Sequence, residues 1–270
     1  MIPEKTTVIR DDDRVTRLFP GRARRSTRAP GDSRFGPHDP IETRADALSS
    51  ELQGRLGEAL EEALRDPLLR IGAMADVLRS DPSERHRDQL TEIREASDRA
   101  EAMLADVLDF LRASSGSLGV ARRRVDLKLL CERVVDAIHT RHPDRPMLFT
   151  STARVEGSWD PDRVAALLTK LVVNAIDHGP VRPAIRIDLH DSTDSAVLRV
   201  WNAGRLLIEG PPARVFEPFV SGPPAAAGGT PRLGLGLYLA REIARAHGGR
   251  IELHSHEEHG TTFQVTLPRA

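Results

Sequence analysis

The sequence predicts an α+β protein: an N-terminal helical hairpin followed by an α/β sandwich. Three observations carry that expectation. Apolar residues recur every three or four positions through Leu48, Leu52, Leu56, Leu60, Leu64, Leu68 and Ile71, and again through Leu90, Ile93, Ala96, Ala100, Leu104, Val107 or Leu108, and Leu111. That spacing marks one face of a helix, twice. Beyond Val125, strand-like alternation and helical periodicity are mixed without the strict βαβ order of a doubly wound fold. The 270-residue length leaves room for about two domains.

Composition narrows the function classes. Hydrophobic residues make up 39% and charged residues 29%, as in ordinary globular proteins. A net charge of -1 gives no general attraction to nucleic acid or to a membrane surface, and 4% aromatics is too little for base-stacking platforms. Neither nucleic acid nor membrane is therefore an expected partner. No apolar run approaches the roughly 20 residues of a membrane span, and the N-terminus lacks a signal-peptide core. The lone Cys131 lies on the apolar side of a helix and reads as a core thiol. A cytoplasmic location is the expectation.

Residues 1–43 mix Arg, Asp, Pro and Gly with few large apolar groups, so they read as a disordered tail. The run Arg22 to Arg28 is either solvated or a contact for an acidic partner. Residues 44–113 form the hairpin, broken at Asp81-Pro82-Ser83 and bent at Pro67, which removes a backbone donor. A lone hairpin has little core. It either pairs with another copy or a related chain into a dimeric four-helix bundle or packs on the rest of the chain. Residues 114–124, containing SSGSLG, are a linker.

Within 125–270, helices are expected over Val125 to Thr140 with Asp126 as cap, Asp160 to His178, and Leu235 to His247. Strands are expected over Ala184 to His190, Ser195 to Asn202, Arg250 to His254 and Thr262 to Leu267. Two segments carry chemistry. LTKLVVNAIDHG (Leu168 to Gly179) is an apolar-striped helix that delivers the amide of Asn174 to its end. Gly234-Leu235-Gly236 is a Gly-x-Gly turn that opens another helix. A carboxamide suits the oxygen shell of a hard cation, and bare helix N–H groups suit phosphate. Together they predict a pocket for a magnesium nucleotide.

Four ordered motifs extend this reading, and Val125 to Pro268 resembles the ATP-binding domain of sensor histidine kinases, in the wider group shared with gyrase and the Hsp90 chaperone. The resemblance implies ATP and Mg²⁺ as cofactors. It makes Asn174 the Mg²⁺ ligand in an N box running to His178. Asp177 stands where the family often has Lys, and His178 either reaches phosphate or caps the helix. The glycine motif that usually begins with Asp reads Asn202-Ala203-Gly204-Arg205-Leu206; Asn202 would accept from the adenine amino group without charge assistance. Gly204 would let the backbone pass close to the base. Phe216 and Phe219, in VFEPF, would anchor a lid over Val220 to Pro231. Gly234, Leu235 and Gly236 would cradle the triphosphate, while Arg232 replaces the family's leading glycine and either crowds the turn or adds a cation.

The hairpin carries an altered acceptor segment. Against the family pattern His-(Asp/Glu)-Leu-Arg-x-Pro-Leu, the chain reads Glu62-Ala63-Leu64-Arg65-Asp66-Pro67-Leu68. Leu64, Arg65, Pro67 and Leu68 keep the register. Glu62 takes the phosphoacceptor position, Ala63 the base position and Asp66 the phosphatase position. A carboxylate is a weak nucleophile beside neutral imidazole. Glu62 is then either a fixed negative charge or a solvated helix residue. The resemblance implies an ATP-dependent phosphotransferase acting in trans on a histidine in a heterodimer partner; the expected partners are a second chain, in a homodimer or heterodimer through the hairpin, and a response regulator or partner histidine kinase. A silent pseudokinase scaffold and an anti-sigma-type serine kinase are the alternatives.

Overall fold

A computed structural model describes residues 7–9, 68–71, 73–74, 86–116, 118–151, 153–204, 212–220, 233–256 and 258–269. Glu62, Pro67, the break at 81–83, Arg205, the lid over 221–231 and Arg232 lie outside the described residues. Residues 68–71 are helical, inside the first apolar run. The second run is helix α1 (His86–Ser114). Its Ala96, Val107 and Phe110 are buried, whereas Leu104, Leu108 and Leu111 stand about half exposed in a stripe.

The C-terminal part is a two-layer sandwich. Strands β1 (Thr7–Ile9), β3 (Met147–Ser151), β5 (Ile185–Asp191), β6 (Ser195–Asn202), β7 (Arg250–His256) and β8 (Gly260–Pro268) form one sheet in the order β1-β7-β8-β6-β5-β3. The β3–β5 pair is parallel and the other pairs are antiparallel. Helices α2 (Leu127–Arg141), α3 (Pro161–His178) and α4 (Gly236–Ala246) cover one face. The alternation of β6 produces this: Ala196, Leu198 and Val200 are buried, while Arg199 faces out. A separate two-stranded ladder joins β2 (Arg123–Asp126) to β4 (Glu156–Trp159).

The expected helices and strands are present, with differences at their edges. Residues 123–126 form β2, so α2 begins at Leu127, and Asp126 caps it by accepting from the Lys128 and Leu129 amides. Strands β2, β3 and β4 were not expected. Segment Thr7–Ile9, within the 1–43 stretch read as tail, is paired to β7. Cys131 is buried, 1% exposed, and burial pushes its thiol up to about 12, with the Glu132 charge adding to the effect. Among the described residues, no helix is long and apolar enough to cross a membrane.

One cap organises the layer contact. Asp160 Oδ1 accepts from the Asp162 and Arg163 amides, with Pro161 in the first turn, and Oδ2 accepts from the Ala121 amide at 2.8 Å. The Asp160 amide in turn donates to His247 Nε2 at the far end of α4. Next to it, Trp159 is fully buried and its indole N–H donates to the Pro268 carbonyl at 2.8 Å. Burial alone would raise the Asp160 pKa, but the three amide donors and His247 outweigh it and hold the carboxyl below its ordinary 3.8. A lowered folded pKa adds stability above the ordinary value, and that stability is lost as pH falls below it. Asp160→Ala is expected to cost about 1–2 kcal/mol at pH 7. In urea titrations its deficit against the parent should shrink as pH falls through about 3.8.

Candidate functional site

The site residues sit where α3 ends, β6 turns and α4 begins. Asn174, Asp177 and His178 occupy the last turns of α3, beside the buried stripe of Leu167, Leu168, Leu171, Val172 and Ala175. The amphipathic pattern fixes this placement: the apolar stripe faces the sheet and the N-box residues flank it. His178 is exposed at its edge, yet atoms around the ring press its pKa below 6.5 by desolvation.

The end of α3 is gripped from behind. Arg145, in the loop before β3, donates through Nη2 to the carbonyls of Ile176 at 2.6 Å, Gly179 at 2.9 Å and, more weakly, Ala175 at 3.4 Å. The Ala175 carbonyl also accepts from the Gly179 amide at 3.0 Å, so the main service of Arg145 is to the Ile176 and Gly179 carbonyls, and a cation there also complements the helix dipole. Partial burial lowers the Arg145 pKa. Sequence reasoning missed this residue; its only signal was a lone Arg in a Pro-rich turn.

The β6 turn fits against that end. A Cβ at Gly179 would lie 3.1 Å from Asn202 Cβ and 2.6 Å from the Ala175 carbonyl oxygen, so only glycine allows the approach. Asn202 is buried, 5% exposed, and its Nδ2 donates to the Ala203 carbonyl at 2.9 Å, which leaves Oδ1 as the acceptor. Gly204 has φ +101, a conformation glycine adopts without cost, and faces Pro180. From the other side Thr261 donates its hydroxyl to the Gly204 carbonyl at 2.9 Å. A Cβ at Gly260 would lie 2.4 Å from the Asn202 carbonyl oxygen. The structure brings Asn202 and Gly204 to the end of α3, together with Gly179, Gly260 and Thr261.

Helix α4 packs beside α3. Gly234 has φ +64, and Leu235 at the cap position supplies no side-chain hydrogen bond to the helix start. Among the described residues no side-chain cap is made at this helix start, and nothing described lies within 4 Å of a Cβ placed on Gly236. Uncapped donors over open space fit an anionic group.

The two aromatics of VFEPF part ways. Phe216, in the 3-10 turn Pro212–Phe216, enters the main core edge-on to Phe263 at 6.3 Å. Phe219, at φ +63, meets Phe110 of α1 at 5.3 Å. Tyr238 meets the same Phe110 ring at 5.5 Å. Leu233, Leu235 and Leu239 complete this cluster with Val107. Both flanks of the 221–232 segment therefore touch the hairpin helix. Two ion pairs reinforce the docking: Arg163 Nη1 to Asp109 Oδ2 at 2.5 Å, and Lys170 to Asp106.

With this geometry in place, comparisons with known proteins assign its class. Residues 159–270 match the family described as histidine kinase-, DNA gyrase B- and HSP90-like ATPase. Within that group, the C-terminal part is a catalytic ATP-binding domain of the sensor histidine kinase type. The chain is 32% identical over 219 residues to a bacteriophytochrome of Pseudomonas aeruginosa, covering 80% of this chain and 30% of that protein. It is 28% identical over 211 residues to sensor protein IrlS of Burkholderia pseudomallei, covering 77% and 46%. The chain thus spans less than half the length of these curated relatives. The fold also resembles the crystal structure of histidine kinase ThkA in complex with the response regulator TrrA, at a TM-score of 0.59 and 22% identity, covering 85% of this chain and 65% of that one.

Two substitutions test the geometry. Arg145→Met leaves carbonyls at the end of α3 unpaired and is expected to cost about 1–3 kcal/mol in urea unfolding, with hydrogen exchange rising first at 176–179. Gly260→Ala forces a methyl against the Asn202 carbonyl at φ +79 and should lower the melting temperature more than Gly248→Ala, where φ is +74 but nothing lies within 4 Å.

Proposed function

We propose that the chain is an ATP-binding, histidine-kinase-type protein of two-component signal transduction that transfers phosphoryl groups in trans rather than onto its own hairpin. The observation that carries this reading is the pairing of the uncapped α4 N-terminus and the Gly234 turn with the N-box helix and the β6 turn. Gly234, Leu235 and Gly236 would hold the phosphates, Asn174 would give its oxygen to Mg²⁺, and Asn202 Oδ1 would accept from the adenine amino group. His178 and Asp177 would flank the phosphates, and Arg232 would face them as a cation. A bound Mg²⁺ supplies neutralisation of the charge that develops on a transferring phosphoryl group. The chain's own residues hold the nucleotide, shape the base pocket through Gly204 and position the lid ends through Phe216 and Phe219.

The exposed stripe of Leu104, Leu108 and Leu111 supports a dimer through the hairpin. A response regulator is the expected downstream partner, on the analogy of ThkA, whose structure contains one. Glu62 at the acceptor position favours a second reading, a scaffold that binds nucleotide and regulates a partner kinase without chemistry.

Calorimetry with Mg-ATP should register binding to the full chain, and Asn174→Ala should remove its dependence on Mg²⁺. Purified protein with labelled ATP should show no acid-labile phosphate on itself. Mixed with a histidine-bearing partner, it should label that partner in a manner abolished by Asn174→Ala. Binding without labelling selects the scaffold, and no binding at all overturns both readings.

A further inference from the structure

Strand β7 would be an edge of the main sheet if β1 were not beside it. An uncovered edge presents a row of unpaired N–H and C=O groups and accepts any extended segment of suitable pattern. The occupant here comes from far away in the chain: Thr7 pairs with Ser255, Val8 with His254 and Ile9 with Leu253. Its sequence explains the choice. Thr6-Thr7-Val8-Ile9 is the longest run of β-branched residues in the first 43, bounded by Glu4-Lys5 and by Arg10-Asp11-Asp12-Asp13. Such a run has strand propensity, and the charges on either side stop the pairing from spreading.

The register matters for the site. Ser255, opposite Thr7, is also paired with Thr261 of β8, and their hydroxyls lie 2.9 Å apart. Thr261 is the residue whose hydroxyl holds the Gly204 carbonyl. The strand also runs within 8 Å, Cα to Cα, of the 3-10 turn that leads to Phe216. One short strand therefore lies three steps from the β6 turn, through Ser255 and Thr261 to Gly204, and beside the 3-10 turn that contains Phe216.

We propose that the β7 edge is a strand-addition site whose resident occupant is the chain's own segment Thr7–Ile9, and that its docking steadies the β6 turn carrying Asn202 and Gly204. The proposal concerns backbone pairing and does not depend on the nucleotide reading.

The test is amide hydrogen exchange on the full chain without nucleotide. In an antiparallel ladder alternate residues turn their N–H toward the neighbour, so one of Thr7→Pro and Val8→Pro removes a donor facing β7. That variant should speed exchange at 253–255 at least tenfold and at 203–204 severalfold, with α3 unchanged as a folding control. An excess of a free peptide of residues 4–11 (EKTTVIRD) should restore protection. Unchanged exchange at 253–255 in both variants would overturn the proposal. So would protection in the parent that depends on protein concentration, since that would place the strand on a second copy. Faster exchange confined to 253–255 would remove the link to the β6 turn.

Discussion

Asn202 is held between two glycines, and the rest of the site depends on that constraint. On one side Gly179 lets the end of α3 come within ordinary contact of its side chain; on the other Gly260 lets the β7–β8 turn close on its carbonyl oxygen. Neither approach leaves space for a side chain. Protein interiors are close-packed, so a displaced neighbour would move the turn itself. The Arg145 grip on the α3 carbonyls and the Thr261 hydroxyl on Gly204 then fix the two halves. What results is a junction made largely of backbone, with Asn202 and Thr261 as its buried polar side chains.

The second level of organisation is the seam between helix α1 and the helical layer of the sandwich. Phe110 stands between Phe219 and Tyr238, so one α1 ring touches residues on both sides of the 221–232 segment. The part-buried pairs Arg163–Asp109 and Lys170–Asp106 tie the same helix to α3, which carries the N box. A shift of α1 would therefore be felt at once by the helix bearing Asn174 and by the start of α4. Partly desolvated charges favour a defined register more than they add net affinity.

Much of this was legible in the sequence because it rests on periodicity and local chemistry. The stripes of α1, α3 and α4, the Asp-Pro helix start at 160–161 and the alternation of β5 and β6 each follow from nearest neighbours along the chain. What was not legible depends on distant pairing. Strands β2 and β4 have four residues each, RRVD and EGSW, too few to show a period. They exist because Arg123 pairs with Trp159, 36 positions further along the chain. Strand β1 hides in a polar stretch for the same reason. Arg145 looks like any turn cation until the carbonyls it serves are folded around it, and the need for glycine at 179 and 260 arises only from what lies opposite.

The burial of Cys131 has a practical consequence. A sulfhydryl walled off by apolar neighbours and titrating near 12 offers almost no thiolate at neutral pH. Maleimide dyes and spin labels would pass it by. Because the chain has no other cysteine, one introduced on an outward position of α1 or β7 would be the sole reporter in the molecule. Distances between hairpin and sheet edge then become measurable without first stripping native sulfur from the protein.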